Sequence, residues 1–315
     1  MITFYSLQNK NVIETQATND TILPLDAIWI DLYSPTDDER IRVSKTYNQA
    51  LPSEQDVLEI EASSRFFFDE QGLHLRTYFL HQFPDRYENI TVAFIVNQGR
   101  LFTIRHEKLE TMHAFKQKAA TGTMHIKDNF DLLFSLFEIK VDRLADNLEI
   151  LHSKIETISK NVYDGDNRKL EEIVLQLGTQ QDINDKMRLG LLDMQRLFSF
   201  LKRNGHSTGK NSKTLNNLIR DIESLMQYTT YLFEKSDSLL SVTMGLMSSE
   251  QNKVIKIFSI ISVVFMPPTL VASIYGMNFT IMPELSWQLG YFFALGLMLG
   301  SAILPYLFFR AKGWL

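Results

Sequence analysis

The stretch from Val254 to Asn278, VIKIFSIISVVFMPPTLVASIYGMN, is almost wholly apolar and ends abruptly in a glycine and an asparagine. Roughly 22 residues rising 1.5 Å each cover about 33 Å, the hydrocarbon thickness of a bilayer. A membrane span is therefore expected at about 254–275, with everything before it in water. A second apolar run, 287–309, follows the loop GMNFTIMPELS at 276–286, so the two spans make a hairpin. Lys253 and Lys256 open the first span, and Arg310 and Lys312 lie in a basic tail at 310–315, whereas the loop holds Glu284 and no Lys or Arg. Positive charge stays on the cytoplasmic side, so both termini are expected there and the loop outside.

The polar residues of the first span are ordered. Asn252, Ile255, Ser259, Ser262, Met266, Thr269 and Ser273 recur at steps of three and four and share one helix face. A lone serine in such a helix bonds back to its own backbone and needs no further purpose. Four hydroxyls on one face point instead to helix packing or to a water-lined path. Pro267 and Pro268 remove two backbone donors and leave the carbonyls of Val263 and Val264 without their usual partners, so a kink is expected. Free carbonyls at that depth are tolerated against protein or water, which favours the path. In the second span Gly296 and Gly300 form a GxxxG, which suits close helix packing.

The soluble part reads as α+β. A mixed α/β domain is expected over 1–125, with a strand at Ala27–Tyr33, a helix capped by Thr36 and Glu39, and another beginning at Ser53 with Asp56. Strand-like runs follow at 65–68, 73–83, 90–96 and 101–105. From Asn129 the period becomes helical: Phe137, Val141, Leu144, Leu148, Leu151, Ile155, Ile158 and Val162 form a heptad stripe. DGDN at 164–167 breaks it, and a second stripe runs through Leu170, Val174, Leu177, Met187, Leu191, Met194, Phe198 and Leu201, giving an antiparallel helical hairpin over 126–203. After a flexible loop at 204–212, the helical spacing of Leu215, Ile219, Ile222, Met226, Phe233, Leu240, Met244 and Met247 continues into the first span without a cap. One helix is expected over 213–275, on the order of 95 Å long.

Charge narrows the partners. Residues 1–250 carry 28 Lys and Arg against 36 Asp and Glu, and residues 251–315 carry 4 against 1. That balance argues against nucleic acid, which would need a basic stripe, and is compatible with a surface that meets cations. The chain has no cysteine, hence no disulfide or thiolate metal site. No nucleophile, phosphate loop or metal cluster suggests an enzyme, and no cofactor is expected. His152 and Glu156 share a helix face and read as surface decoration. Two helices cannot enclose a hydrophilic path, so conduction requires several copies around an axis, along with a lipid bilayer and divalent cations as partners. Rings of neutral oxygens suit a hard cation that keeps its water, as Mg²⁺ does.

The exit of the first span, YGMNF at Tyr275–Phe279, followed by MPEL at Met282–Leu285, resembles the signature of the CorA family of magnesium transporters. WIDLYSPTDDER, RFFFDEQGLH, TVAF and RDIESL extend the resemblance over the chain. It implies a funnel-shaped homopentamer in the bacterial inner membrane, with an α+β cytosolic domain, a long helical stalk lining the pore and the second span outside it. It further implies that Gly276, Met277 and Asn278 form the selectivity motif, with Asn278 as an outer ring for hydrated Mg²⁺ and the glycine supplying a tight turn. Asn252, Met266 and Thr269 match family pore positions, and Ile255 and Phe258 match the hydrophobic constriction; Phe258 stands beside Ser259 as an inward candidate. Asp85, Glu88 and Asp221 are the nearest matches to carboxylates that hold the ring shut when internal Mg²⁺ is high. Passage of Co²⁺ and Ni²⁺ is implied as a secondary property. Thr280 departs from the family, which often has an acid there, leaving Glu284 as the loop carboxylate. A zinc or cobalt carrier of the same superfamily, and a non-conducting membrane-anchored coiled-coil sensor or scaffold, remain as alternatives.

Overall fold

The computed structural model describes residues 1–8, 11–17, 22–57, 65–120, 126–164, 169–204, 210–278 and 282–314. The loop breakers at 165–167, the loop residues 205–209 and Phe279 and Thr280 of the span exit lie outside the described residues. Contacts divide the chain into two compact units, Met1–Asp164 with Ile173–Leu240, and Gly165–Glu172 with Ser241–Leu315.

In the first unit, strands β1 (Ile2–Gln8), β2 (Asn11–Gln16), β3 (Ala27–Tyr33), β4 (Phe66–Asp69), β5 (Gly72–Gln82), β6 (Tyr87–Asn97) and β7 (Arg100–Arg105) form one sheet in the order β2-β1-β3-β7-β6-β5-β4. β3 and β7 pair in parallel at its centre, Ile30 opposite Phe102, and the other pairs are antiparallel. AIWIDLY is apolar almost throughout because a central strand is covered on both faces. Helix α1 (Asp37–Tyr47) packs Val43 and Tyr47 on one face, against Ile30, Leu32, Phe102 and Ile104, joined by Val57 of α2 (Glu54–Val57). The capping box is present: Glu39 N donates to Thr36 Oγ1 at 3.3 Å and Thr36 N to Glu39 Oε2 at 3.0 Å. Ser53 and Asp56 repeat the arrangement at the start of α2.

β1, β2 and helix α3 (Glu110–Ala120) are additions to the sequence reading. β1 is bonded on both sides, while β2 is an edge strand of mostly polar residues, NVIETQ, whose alternation is weak. α3 places Phe115 edge-on to Trp29 at 5.1 Å on the opposite side of β3 from α1.

The helical hairpin consists of α4 (Asn129–Tyr163) and α5 (Leu170–Arg203). All eight residues of the α4 heptad stripe are buried. On α5 the burial shifts from Val174 to Ile173 and otherwise follows the expected stripe. A chain of rings, Phe79–Phe94–Phe137–Phe198, with centroids 5.5–6.0 Å apart, fixes both helices to the sheet. A buried polar network lies beside it. Thr77 Oγ1 donates to Asp193 at 2.7 Å and accepts from Lys140 Nζ at 2.9 Å, Tyr78 N donates to Asp193 at 3.0 Å, and Arg65 pairs with the other Asp193 oxygen at 3.0 Å. Burial pushes the Lys140 ammonium down to about 7, with Arg65 acting in the same direction and Asp193 against it.

Helix α6 (Lys210–Tyr275) starts three residues before its expected position and is continuous to the end of the first span. Its inward face in the first unit differs from the sequence reading. Leu218, Ile222, Thr229, Leu232, Ser236 and Leu239 are buried, while Phe233 is 38% exposed. Thr229 donates to the carbonyl of Met226 at 2.7 Å, so its hydroxyl is satisfied within the helix and tolerates burial. His152 and Glu156 are not surface decoration: Tyr228 bonds to His152 and Lys235 to Glu156, tying α6 to α4.

Candidate functional site

The second unit contains the end of α6, a 3₁₀ turn at Pro283–Ser286 and helix α7 (Gly290–Ala311). Both helices are long and apolar enough to cross a membrane, and their apolar stretches are almost wholly exposed on the single chain. On the first span the covered side is narrow. Ile260 is buried, and Val264, Pro268, Val271 and Tyr275 are half-buried at steps of three and four.

The predicted stripe occupies the opposite side, about 180° around the helix at 100° per residue. Asn252, Ile255, Ser259, Ser262, Met266, Thr269 and Ser273 are all exposed on the single chain, with Ile255 at 61% and Met266 at 71%. Phe258, 66% exposed, stands on the flank of that stripe. Two of the four hydroxyls bond back to the helix: Ser262 donates to the Phe258 carbonyl at 2.9 Å and Thr269 to the Phe265 carbonyl at 2.7 Å. With the proton used internally, the oxygens of Ser262 and Thr269 have lone pairs left to accept from water, which suits a hydrated cation rather than an anion. Pro267 and Pro268 lie inside α6 without ending it.

The helix closes in a tightened last turn, with Gly276 N donating to the Ala272 carbonyl at 2.9 Å and Met277 N to that of Ile274 at 3.2 Å. Gly276 is not left-handed. A Cβ there would stand 3.2 Å from the Ala272 oxygen, a tight contact that a shift of a few tenths of an ångström would relieve. Met277 and Asn278 follow, both exposed. Glu284 is half-buried in the 3₁₀ turn of the loop between the two apolar helices.

Asp85 and Glu88 belong to the first unit, Asp85 beside Arg86 on the β5–β6 turn and Glu88 at the start of β6. Arg86 bonds Glu88 at 2.6 Å and Asp85 at 3.2 Å, and Asp221 is exposed on α6. Among the described residues no three His, Asp or Glu gather to hold a metal ion. The sequence reading missed the buried Lys140–Thr77–Asp193–Arg65 network and the aromatic residues around Glu284. Lys140 had a local signal, lying between Ile139 and Val141 in an apolar stretch.

The model of the CorA-like Mg2+ transporter proteins matches residues 25–311. The chain is 40% identical over 317 residues to the magnesium transport protein CorA of Salmonella typhimurium (strain LT2) and equally to that of Escherichia coli (strain K12), each covered completely on both sides. Its fold is similar to the complete structure of the CorA magnesium transporter from Methanocaldococcus jannaschii, with a TM-score of 0.78 at 20% identity over 100% of this chain and 99% of that one. It is also similar to the full-length CmaX protein, with a TM-score of 0.68 at 16% identity over 99% and 97% of the two chains. The family model over 25–311 and the 40% identity over the full length of two magnesium transport proteins, on a fold of α+β sheet domain, long helix and two C-terminal apolar helices, establish that the chain belongs to the CorA family of Mg²⁺ transporter proteins.

Proposed function

We propose that the chain is the subunit of a homopentameric, channel-like pathway that admits Mg²⁺ across the bacterial inner membrane, with both termini in the cytoplasm. The observation that supports it is the polar stripe of α6, which lies opposite the covered side of that helix and leads to Asn278. Copies arranged about an axis would turn each stripe residue into a ring. Asn252, Ser259, Ser262, Thr269 and Ser273 supply oxygens to hydrated ions; Ile255, Phe258 and Met266 narrow the path with apolar surface.

Asn278, presented by Gly276 and Met277, is the outer selecting ring. Its carboxamide oxygen accepts hydrogen bonds from the water shell of an ion that dehydrates reluctantly. The Glu284 carboxylate favours cations over anions at the outer mouth. Two charges entering a cell at about −100 mV gain about 4.6 kcal/mol, so no coupled chemistry is needed. Cytosolic Mg²⁺ held between subunits near Asp85, Glu88 and Asp221 closes the path, and Co²⁺ and Ni²⁺ pass as secondary ions.

The test is Mg²⁺ uptake by Asn278→Ala against the native chain in liposomes, with folding checked by its melting temperature. The expected result is a loss of at least ten-fold in uptake without a shift in melting. Undiminished, Mg²⁺-selective uptake by the variant would remove Asn278 from the selecting ring.

A further inference from the structure

The second unit holds a cleft of about 440 Å³ at the outer end of the hairpin. Its lining includes three aromatic residues, Tyr275, Trp287 and Tyr291, one carboxylate, Glu284, and no Lys, Arg or His. Glu284 is half-buried, and its carboxylate makes no hydrogen bond or ion pair among the described residues.

Its position is fixed through the backbone. The Glu284 carbonyl oxygen lies 2.2 Å from where a Cβ of residue 290 would be, an approach that Gly290 alone permits. Trp287 N bonds that same carbonyl at 3.4 Å, Gly290 N bonds the Trp287 carbonyl at 3.1 Å, and Ser286 Oγ bonds that of Pro283 at 2.7 Å.

A carboxylate attracts any cation, and the walls around it decide which one stays. Hydrated Mg²⁺ is held through oxygen ligands and water, whereas ring faces with a nearby carboxylate select an organic ammonium. Below Glu284 the lining turns apolar and follows α7 through Ala294 to Met298, about 12 Å from Gly290 along the helix axis. Tyr and Trp at the upper end mark the depth at which lipid headgroups meet water. A cationic head above an apolar tail describes one class of ligand available at that depth.

We propose that this cleft is a binding site for a phospholipid whose headgroup ends in an ammonium, with phosphatidylethanolamine as the probe. Its ammonium lies at Glu284 among the three rings, and an acyl chain runs along Ala294 and Met298. The proposal rests on the membrane-spanning reading of α6 and α7; it shares Glu284 with the outer mouth described above, and a bound ammonium would offset the attraction of that carboxylate for entering cations.

The test is native mass spectrometry of the full chain in detergent, stripped of lipid and titrated with phosphatidylethanolamine or phosphatidylglycerol. Phosphatidylethanolamine is expected to bind at least ten-fold more tightly. Glu284→Gln and Tyr291→Leu are each expected to weaken it five-fold or more, leaving phosphatidylglycerol binding and the melting temperature unchanged. Equal affinity for the two lipids, or phosphatidylethanolamine binding that survives both substitutions, overturns the proposal. Because the chain has no cysteine, Leu295→Cys in the cleft lining gives one maleimide-reactive position. Protection by phosphatidylethanolamine and not by phosphatidylglycerol supports the site. Protection in the lipid-stripped protein means that a second copy covers the cleft, which also overturns it. No readout involves flux, so a chain that failed to transport Mg²⁺ would leave this test intact.

Discussion

The two units use the same kinds of side chain in opposite ways. In the first, Phe79, Phe94, Phe102, Phe115, Phe137 and Phe198 are fully buried, and two ion pairs go inside with them, Arg65 with Asp193 and Arg105 with Asp31. In the second, Phe258, Phe265, Met266, Tyr291 and Leu304 are each 65–72% exposed. Apolar surface in water is unfavourable by about 25 cal/mol per Å², so a contiguous coat of it signals a different solvent. The difference teaches that burial within one chain measures packing only where the surroundings are water. On α6 the change occurs within a single helix, between buried Leu232 and exposed Ile255.

The largest expected effect lies in the buried network. Asp193→Ala leaves Arg65 and Lys140 without their carboxylate and is expected to destabilise the first unit by about 3–5 kcal/mol in urea denaturation. A loss below about 1 kcal/mol would mean that the network contributes little to the packing of α5 on the sheet. The comparison itself is sharpened by two matched truncations. Phe137→Ala, at a fully buried site between Phe94 and Phe198, should cost about 3–4 kcal/mol, while Phe265→Ala in the span should cost less than about 1 kcal/mol in liposomes. Equal losses would break the contrast drawn between the units.

A smaller effect follows from Lys140, whose ammonium burial pushes down to about 7. Between that value and the ordinary lysine range the unfolded chain binds more protons than the folded one, so stability rises with pH. The gain is at most about 1.4 kcal/mol per pH unit; below pH 7 the penalty of a buried charge is fully present. Melting profiles from pH 7 to 9 should therefore rise more steeply for the native chain than for Lys140→Met. Parallel profiles would contradict the assignment.

Much of the fold was legible because the signals were local and periodic. The Thr36–Glu39 capping box, the strand AIWIDLY and the α4 stripe each needed one stretch of sequence. β2 escaped because an edge strand needs apolar residues on one face at most, and NVIETQ barely shows them. The inward face of α6 shifted because apolar bulk suggested Phe233 where small hydroxyl residues, Thr229 and Ser236, are buried. At the candidate site, the stripe from Asn252 to Ser273 could be drawn from spacing alone. That it stands opposite the covered side of the helix required the hairpin partner. Asn278 and Glu284 were visible as polar residues beyond a span, but the aromatic cleft joins residues from both spans and the loop.

The most direct test of the central claim is Mg²⁺ entry into liposomes containing the purified full chain, read with an internal dye after internal Mg²⁺ is chelated, at inside-negative and inside-positive potentials. The account predicts rapid entry at the negative potential and a large fall when the sign is reversed. No entry at either polarity, from protein shown to be folded and inserted, would contradict it.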